Sequence, residues 1–106
     1  MSSSMSWRRV LAVFRIEVTP EAERDIRAIA AHIRQDNPAA ARRVMLEIKD
    51  QVITLVQFPN IGRAGRVDGT REMVITGLPY IAIYEVGDAV VYVMRVLHGA
   101  RQRPEG

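Results

Sequence analysis

From Val13 apolar and charged residues alternate, so that Phe14, Ile16 and Val18 share one face and Arg15 and Glu17 the other. That period of two marks a half-buried strand. The period then changes, because Ala22, Ile26, Ile29, Ala30 and Ile33 recur at helical spacing. They predict an amphipathic helix over 20–35 with one apolar stripe. Thr19 stands at its N-cap, Pro20 at its first position, and Glu21 and Glu23 near its positive end. Asp36-Asn37-Pro38 stops this helix and starts another, whose stripe is Ala41, Val44, Met45, Ile48, Val52 and Leu55, reaching Phe58. So short a joint folds the two helices into an antiparallel hairpin.

Pro59 to Gly69 carries Pro59, Asn60, Gly62, Gly65, Asp68 and Gly69, with Arg63 and Arg66 between them, and reads as a loop. Three strands follow near 70–76, 80–86 and 90–97, joined at Gly77 to Pro79 and at Gly87-Asp88. The second joint suits a tight hairpin, since Gly and Asp tolerate positive φ. The resulting order, β-α-α-β-β-β, predicts an α+β fold: an antiparallel helix hairpin packed on a curved antiparallel sheet. The first strand is expected at an edge of that sheet, and Val74, Ile81, Ile83, Val91 and Val93 in its core.

At 106 residues the chain supports a single domain, read as 13–106, behind a serine-bearing leader at 1–12 that is expected to be flexible. The absence of cysteine excludes disulfides and thiolate metal sites. His32 and His98 lie far apart with no metal-site spacing around them, so neither a metal nor a cofactor is expected. Arg8-Arg9 precede an apolar run at Val10 to Phe14, but Arg15 and Glu17 cut it short of a secretory core. No apolar run approaches the roughly 20 residues that span a bilayer. The expected location is therefore the cytoplasm, without a membrane partner.

The net charge of +3 is spread thinly: +2 over residues 1–18, zero over 19–58 and +1 from Pro59 onward. No segment is a basic block, so contact with nucleic acid phosphates requires the folded arrangement. Fourteen of the fifteen basic residues are arginine, with Lys49 the only lysine, a bias that a GC-rich coding sequence also produces. Arginine grips carboxylates and phosphates but does not serve as a general base.

Arg71 and Arg95 fall inside strands, where a charge needs a partner or a task. The structural alternative for Arg71 is pairing with Asp68 or a helix carboxylate. His98, at a strand end, has a side chain suited to acid–base work, and the alternative is a hydrogen-bonded structural role. Tyr80 and Tyr84 share one strand face and, with Tyr92, are expected to pack with their hydroxyls at the sheet edge. His32 reads as a solvated helix residue, and Arg63 and Arg66 as solvated unless a partner meets them.

Thr19-Pro20-Glu21-Ala22-Glu23-Arg24-Asp25-Ile26, Asn37-Pro38-Ala39-Ala40-Ala41, Phe58-Pro59-Asn60-Ile61-Gly62-Arg63, Gly69-Thr70-Arg71-Glu72, Pro79-Tyr80-Ile81-Ala82-Ile83-Tyr84 and Arg95-Val96-Leu97-His98-Gly99-Ala100-Arg101 occur in that order. Together they resemble the RelE/ParE toxin family over roughly residues 14–103, with wording closer to ParE. The resemblance implies the toxin of a type II toxin–antitoxin pair, held in a hetero-oligomer by a ParD-like or RelB-like antitoxin with an acidic C-terminal segment. ParE-like members poison DNA gyrase, whereas RelE-like members cut mRNA in the ribosome. The lysines that RelE-like nucleases place at the end of the second helix and in the next loop have no equivalents here. The gyrase-directed reading is therefore preferred, with a metal-independent endoribonuclease as the alternative.

For a nuclease the candidates are Arg71, Arg95 and Arg101 on the phosphate and His98 as acid or base. For antitoxin or target binding they are Arg63, Arg66, Arg71, Tyr80, Arg95 and Arg101. The antitoxin's apolar anchors are expected in the groove between hairpin and sheet, with its carboxylates on Arg71, Arg95 or Arg101.

Overall fold

The computed structural model describes residues 15–99; the expected leader and Arg101 lie outside them. The elements are β1 (Arg15–Val18), α1 (Pro20–Arg34), α2 (Pro38–Ile53), a 3-10 turn (Thr54–Val56), β2 (Arg63–Ala64), β3 (Arg71–Val74), β4 (Tyr80–Val86) and β5 (Val90–His98). Both helices begin as their sequences dictate. The Thr19 hydroxyl accepts from the Ala22 N–H at 3.2 Å and the Asn37 carboxamide from the Ala40 N–H at 3.1 Å, each ahead of a proline at the first helical turn.

The sheet runs β1-β5-β4-β3-β2. β1 lies at an edge as expected, but it runs parallel to β5, so the sheet is mixed rather than wholly antiparallel. A parallel neighbour requires a long crossover. The whole chain from α1 to the end of β4 supplies it. The opposite edge corrects a second expectation, because Arg63 and Ala64 are not loop but a two-residue strand paired with Glu72 and Arg71.

One cluster of buried residues joins Ala22 and Ile26 of α1, Ile48 and Val52 of α2, and Ile75, Ala82, Val93 and Val96 of the sheet region; a second joins Leu55, Tyr84 and Val91. Each Ile, Leu or Val so buried contributes about 1.5–3 kcal/mol. Ile81, Val91 and Val93 are buried as expected, but Val74 is 57% exposed and Ile83 only half-buried. The register explains the correction. Arg71, Met73, Ala82, Tyr84, Val93 and Val96 occupy the rows that face the helices, and Glu72, Val74, Ile81 and Ile83 the alternate rows. An irregularity opposite Ile83/Tyr84 inserts Met94 into β5 and shifts its phase, which is why Val93 and Val96, three apart, both point to the helices.

The β4–β5 turn closes with the Gly87 N–H on the Val90 carbonyl at 2.7 Å. The tight turn falls where expected and uses no positive φ. Among the described residues only Gly69 and Gly77, at +86° and +83°, adopt that conformation, on either side of β3.

Candidate functional site

α1 leaves β1 before β5 ends, so β5 runs on past its strand partner. The Thr19 N–H and hydroxyl donate to the Val93 and Met94 carbonyls at 3.0 Å each, and farther along the helix Asp25 takes over. Its Oδ2 accepts the Val96 N–H at 3.0 Å and Arg95 Nε at 2.7 Å, while Oδ1 accepts Arg95 Nη2 at 3.0 Å. A helix carboxylate thus substitutes for a missing strand and holds the Arg95 fork in two bonds. Burial opposes the charge on Asp25, but the Arg95 bond, the Val96 N–H and the positive charges of Arg95 and Arg24 outweigh it and hold its carboxyl below the ordinary value of 3.8. Asp25 in turn holds Arg95 more firmly protonated.

At the other side of the sheet Arg71 reaches under the loop that follows α2. Its Nη1 donates to the carbonyls of Gly62 at 2.6 Å and Asn60 at 3.3 Å, rather than to Asp68 or a helix carboxylate. The same loop is pinned by its Gly62 N–H, which donates to the hydroxyl of the fully buried Tyr84 at 2.8 Å. Burial raises the Tyr84 phenol above its ordinary value, against the Gly62 N–H and the charge of Arg71. A Cβ on Gly62 would sit 2.7 Å from both the Glu72 carbonyl and the Tyr84 hydroxyl, so only glycine allows this approach. Tyr84 hence lies beneath a loop and not, as expected, with its hydroxyl at the sheet edge.

Arg63 and Arg66 meet Glu72, which is only 7% exposed. Its carboxylate lies 3.8 Å from the Arg63 guanidinium and accepts the Arg66 backbone N–H at 3.3 Å. Tyr80 and His98 pair across β4 and β5 and pack edge to face, with ring centroids 5.6 Å apart.

The register keeps the candidate catalytic groups apart. Arg71 stands in the row with Tyr84 and Val93, Arg95 in the row with Glu72 and Ile83, and adjacent rows point to opposite faces. His98 pairs with Tyr80, four residues along β4 from the partner of Arg71. That is about 13 Å along the strands and about 10 Å across them.

Two clefts flank α2. An apolar groove of about 300 Å3 lies between the hairpin and β1, with Ile16, Val18, Met45, Val52, Ile53 and Val93 on its walls and Glu23, Arg27 and Lys49 among its lining. A second cleft, of about 450 Å3, lies beside β3 between Gln51, Thr54 and Ile61, with Arg63 and Glu72 in its wall. None of Arg63, Arg66, Arg71, Tyr80 or Arg95 lines the apolar groove. Asp25, Glu72 and Gln51 were not singled out by sequence, although Asp25 sits three residues from Ala22 beside the buried stripe, a placement that marks a polar group aimed inward.

No helix among the described residues is long and apolar enough to cross a membrane. The profile of the ParE toxin of type II toxin–antitoxin systems, parDE, matches residues 16–103. Protein Y4kP of Sinorhizobium fredii is 38% identical over 91 residues, 86% of this chain and 94% of the relative; toxin RelE2 of Caulobacter vibrioides is 36% identical over 77 residues, 73% and 85%. Among solved structures, the chromosomal ParDE system of P. aeruginosa superposes with a TM-score of 0.74 at 25% identity, covering 80% of this chain and 95% of that one. The E. coli DinJ–YafQ complex superposes at 0.55 and 18% identity, covering 83% and 94%, a likeness of fold. With two helices on a five-stranded mixed sheet and a sequence matched nearly end to end, the chain belongs to the ParE toxin family of type II toxin–antitoxin systems.

Proposed function

We propose that this protein is a cytoplasmic toxin that acts by binding DNA gyrase, and that an antitoxin neutralises it by filling the apolar groove between the helix hairpin and β1. The observation that carries the preference over RNA cleavage is the separation of the charged candidates. A metal-independent ribonuclease must place an acid–base pair and a cation around one phosphate. Arg71 and Arg95 stand in sheet rows of opposite phase, and their guanidiniums are committed at separate places, to the Gly62 and Asn60 carbonyls and to Asp25 of α1. Family membership supports the toxin–antitoxin reading, and the groove, apolar along its walls and bounded by an edge strand, suits insertion of a peptide segment.

The test is DNA supercoiling by purified gyrase with increasing amounts of this protein freed of antitoxin. Inhibition with accumulation of cleaved DNA, reversed by the antitoxin, is expected. A folded, toxic protein that leaves gyrase untouched would overturn the proposal and make the ribosome the leading target, with His98 and Arg101 then tested by substitution.

A further inference from the structure

The apolar groove contains a cation that nothing described neutralises. α2 presents Met45, Ile48, Lys49, Val52 and Ile53 to it, the i, i+3, i+4, i+7, i+8 spacing of one helix face, so Lys49 stands in the middle of an apolar stripe. The other charged residues of the groove lining pair with each other: Arg27 lies 3.2 Å from Glu23. The preceding carboxylate on α2, Glu47, accepts from Gln51 at 2.8 Å. Lys49 makes no ion pair within the described residues, and it is the sole lysine of the chain.

We infer that Lys49 is the charge by which this groove selects its occupant: an antitoxin segment whose apolar side chains fill the groove and whose Asp or Glu closes onto the Lys49 ammonium. The inference rests on the reading that the antitoxin seats in this groove. A purely apolar occupant would strip water from the ammonium without replacing its hydrogen bonds, a cost that disfavours such a ligand. A carboxylate placed over Lys49 removes that cost and adds a charge-assisted bond. Mispaired segments that carry a lysine or arginine at this position are rejected by repulsion, so the same residue gives selectivity among antitoxins. Arginine and lysine differ here, since a compact ammonium needs a single carboxylate oxygen and not a bidentate fork.

The experiment measures affinity for the antitoxin encoded beside this gene as a function of salt, for the full chain and for two variants at exposed positions, Lys49→Gln and Ile53→Gln. Lys49→Gln is expected to weaken binding about tenfold at low salt and to flatten the salt dependence. Ile53→Gln is expected to weaken binding several-fold with the salt dependence unchanged, because it removes apolar contact and no charge. Carbodiimide treatment of the wild-type complex should join Lys49 to one Asp or Glu of the antitoxin, identified by peptide mass. If Ile53→Gln leaves affinity intact, the groove is not the antitoxin seat and the underlying reading fails. If Ile53→Gln weakens binding while Lys49→Gln matches the wild type at every salt concentration and no cross-link forms at Lys49, the groove stands and the role of Lys49 is overturned.

Discussion

The two places where the sheet runs out of strand are closed by opposite chemistry. On the β5 side Asp25 of α1 accepts the Val96 N–H and, in doing so, binds the Arg95 fork. On the β3 side Gln51 of α2 offers a neutral amide: its Oε1 accepts the Thr76 N–H at 2.7 Å and its Nε2 donates to the Thr76 carbonyl at 2.8 Å, as a strand partner would. Each helix therefore contributes one side chain that stands in for backbone, α1 at β5 and α2 just past β3. Because charge-assisted bonds exceed neutral ones, the Asp25 closure is expected to be the stronger and to follow the Asp25 titration, and the Gln51 closure the weaker. An edge left with unmet N–H and C=O groups is a template for other strands, so both closures also limit where a foreign strand can pair. Among the described residues β1 has a strand partner on one side only, and it borders the apolar groove.

The comparison is most severely tested by Asp25→Ala, which strands the Val96 N–H and frees Arg95; a loss of about 2–3 kcal/mol in urea denaturation is expected. A loss no greater than that of Gln51→Ala would remove the distinction between the edges. The pH arm is next. Because the native Asp25 carboxyl titrates below 3.8, the unfolded chain binds its proton more readily, so this contribution is present above 3.8 and lost as pH falls through the lower native value. The stability gap between wild type and Asp25→Asn, about 1–2 kcal/mol near neutrality, should close in acid, whereas the gap for Gln51→Ala should not follow the Asp25 titration.

Gln51→Ala itself is expected to cost about 1 kcal/mol, since its two bonds to Thr76 and its bond to Glu47 are solvent-exposed. The smallest effect belongs to Arg95→Lys, which keeps the charge beside Asp25 and loses the fork; under about 1 kcal/mol is expected for so exposed an arginine. Toxicity retained by Arg95→Lys in cells lacking antitoxin would assign Arg95 to the closure and not to the action on the target.

Element types were legible because they rest on local physics. Thr19 and Asn37 announced both helix starts, and β4 fell at 80–86, because capping and period-two alternation act within a few residues. Val74 and Ile83 were misplaced for the opposite reason: in a run that is apolar at consecutive positions, which residues face the helices depends on pairing register and on the extra residue at Met94. β2 was read as loop because two residues carry no period at all. The glycines illustrate both cases. Gly69 and Gly77 lie where composition marks turns, while Gly62 is required by its approach to Tyr84 and the Glu72 carbonyl, which no local pattern encodes.

Of the candidate site, the arginines were visible as charges in strands but not their acceptors. Asp25 is 70 residues from Arg95, and Arg71 binds backbone carbonyls, which carry no side-chain signature. By itself the sequence determined the helix hairpin, the meander, the family resemblance and the isolation of Lys49 as the one lysine. Only the tertiary structure decided that β1 runs parallel to β5, that Arg71 serves loop carbonyls while Arg95 serves Asp25 of α1, and that Lys49 borders an apolar groove. Those outcomes depend on contacts between residues distant in sequence, where pairing register and edge satisfaction, rather than local propensity, set the lowest free energy.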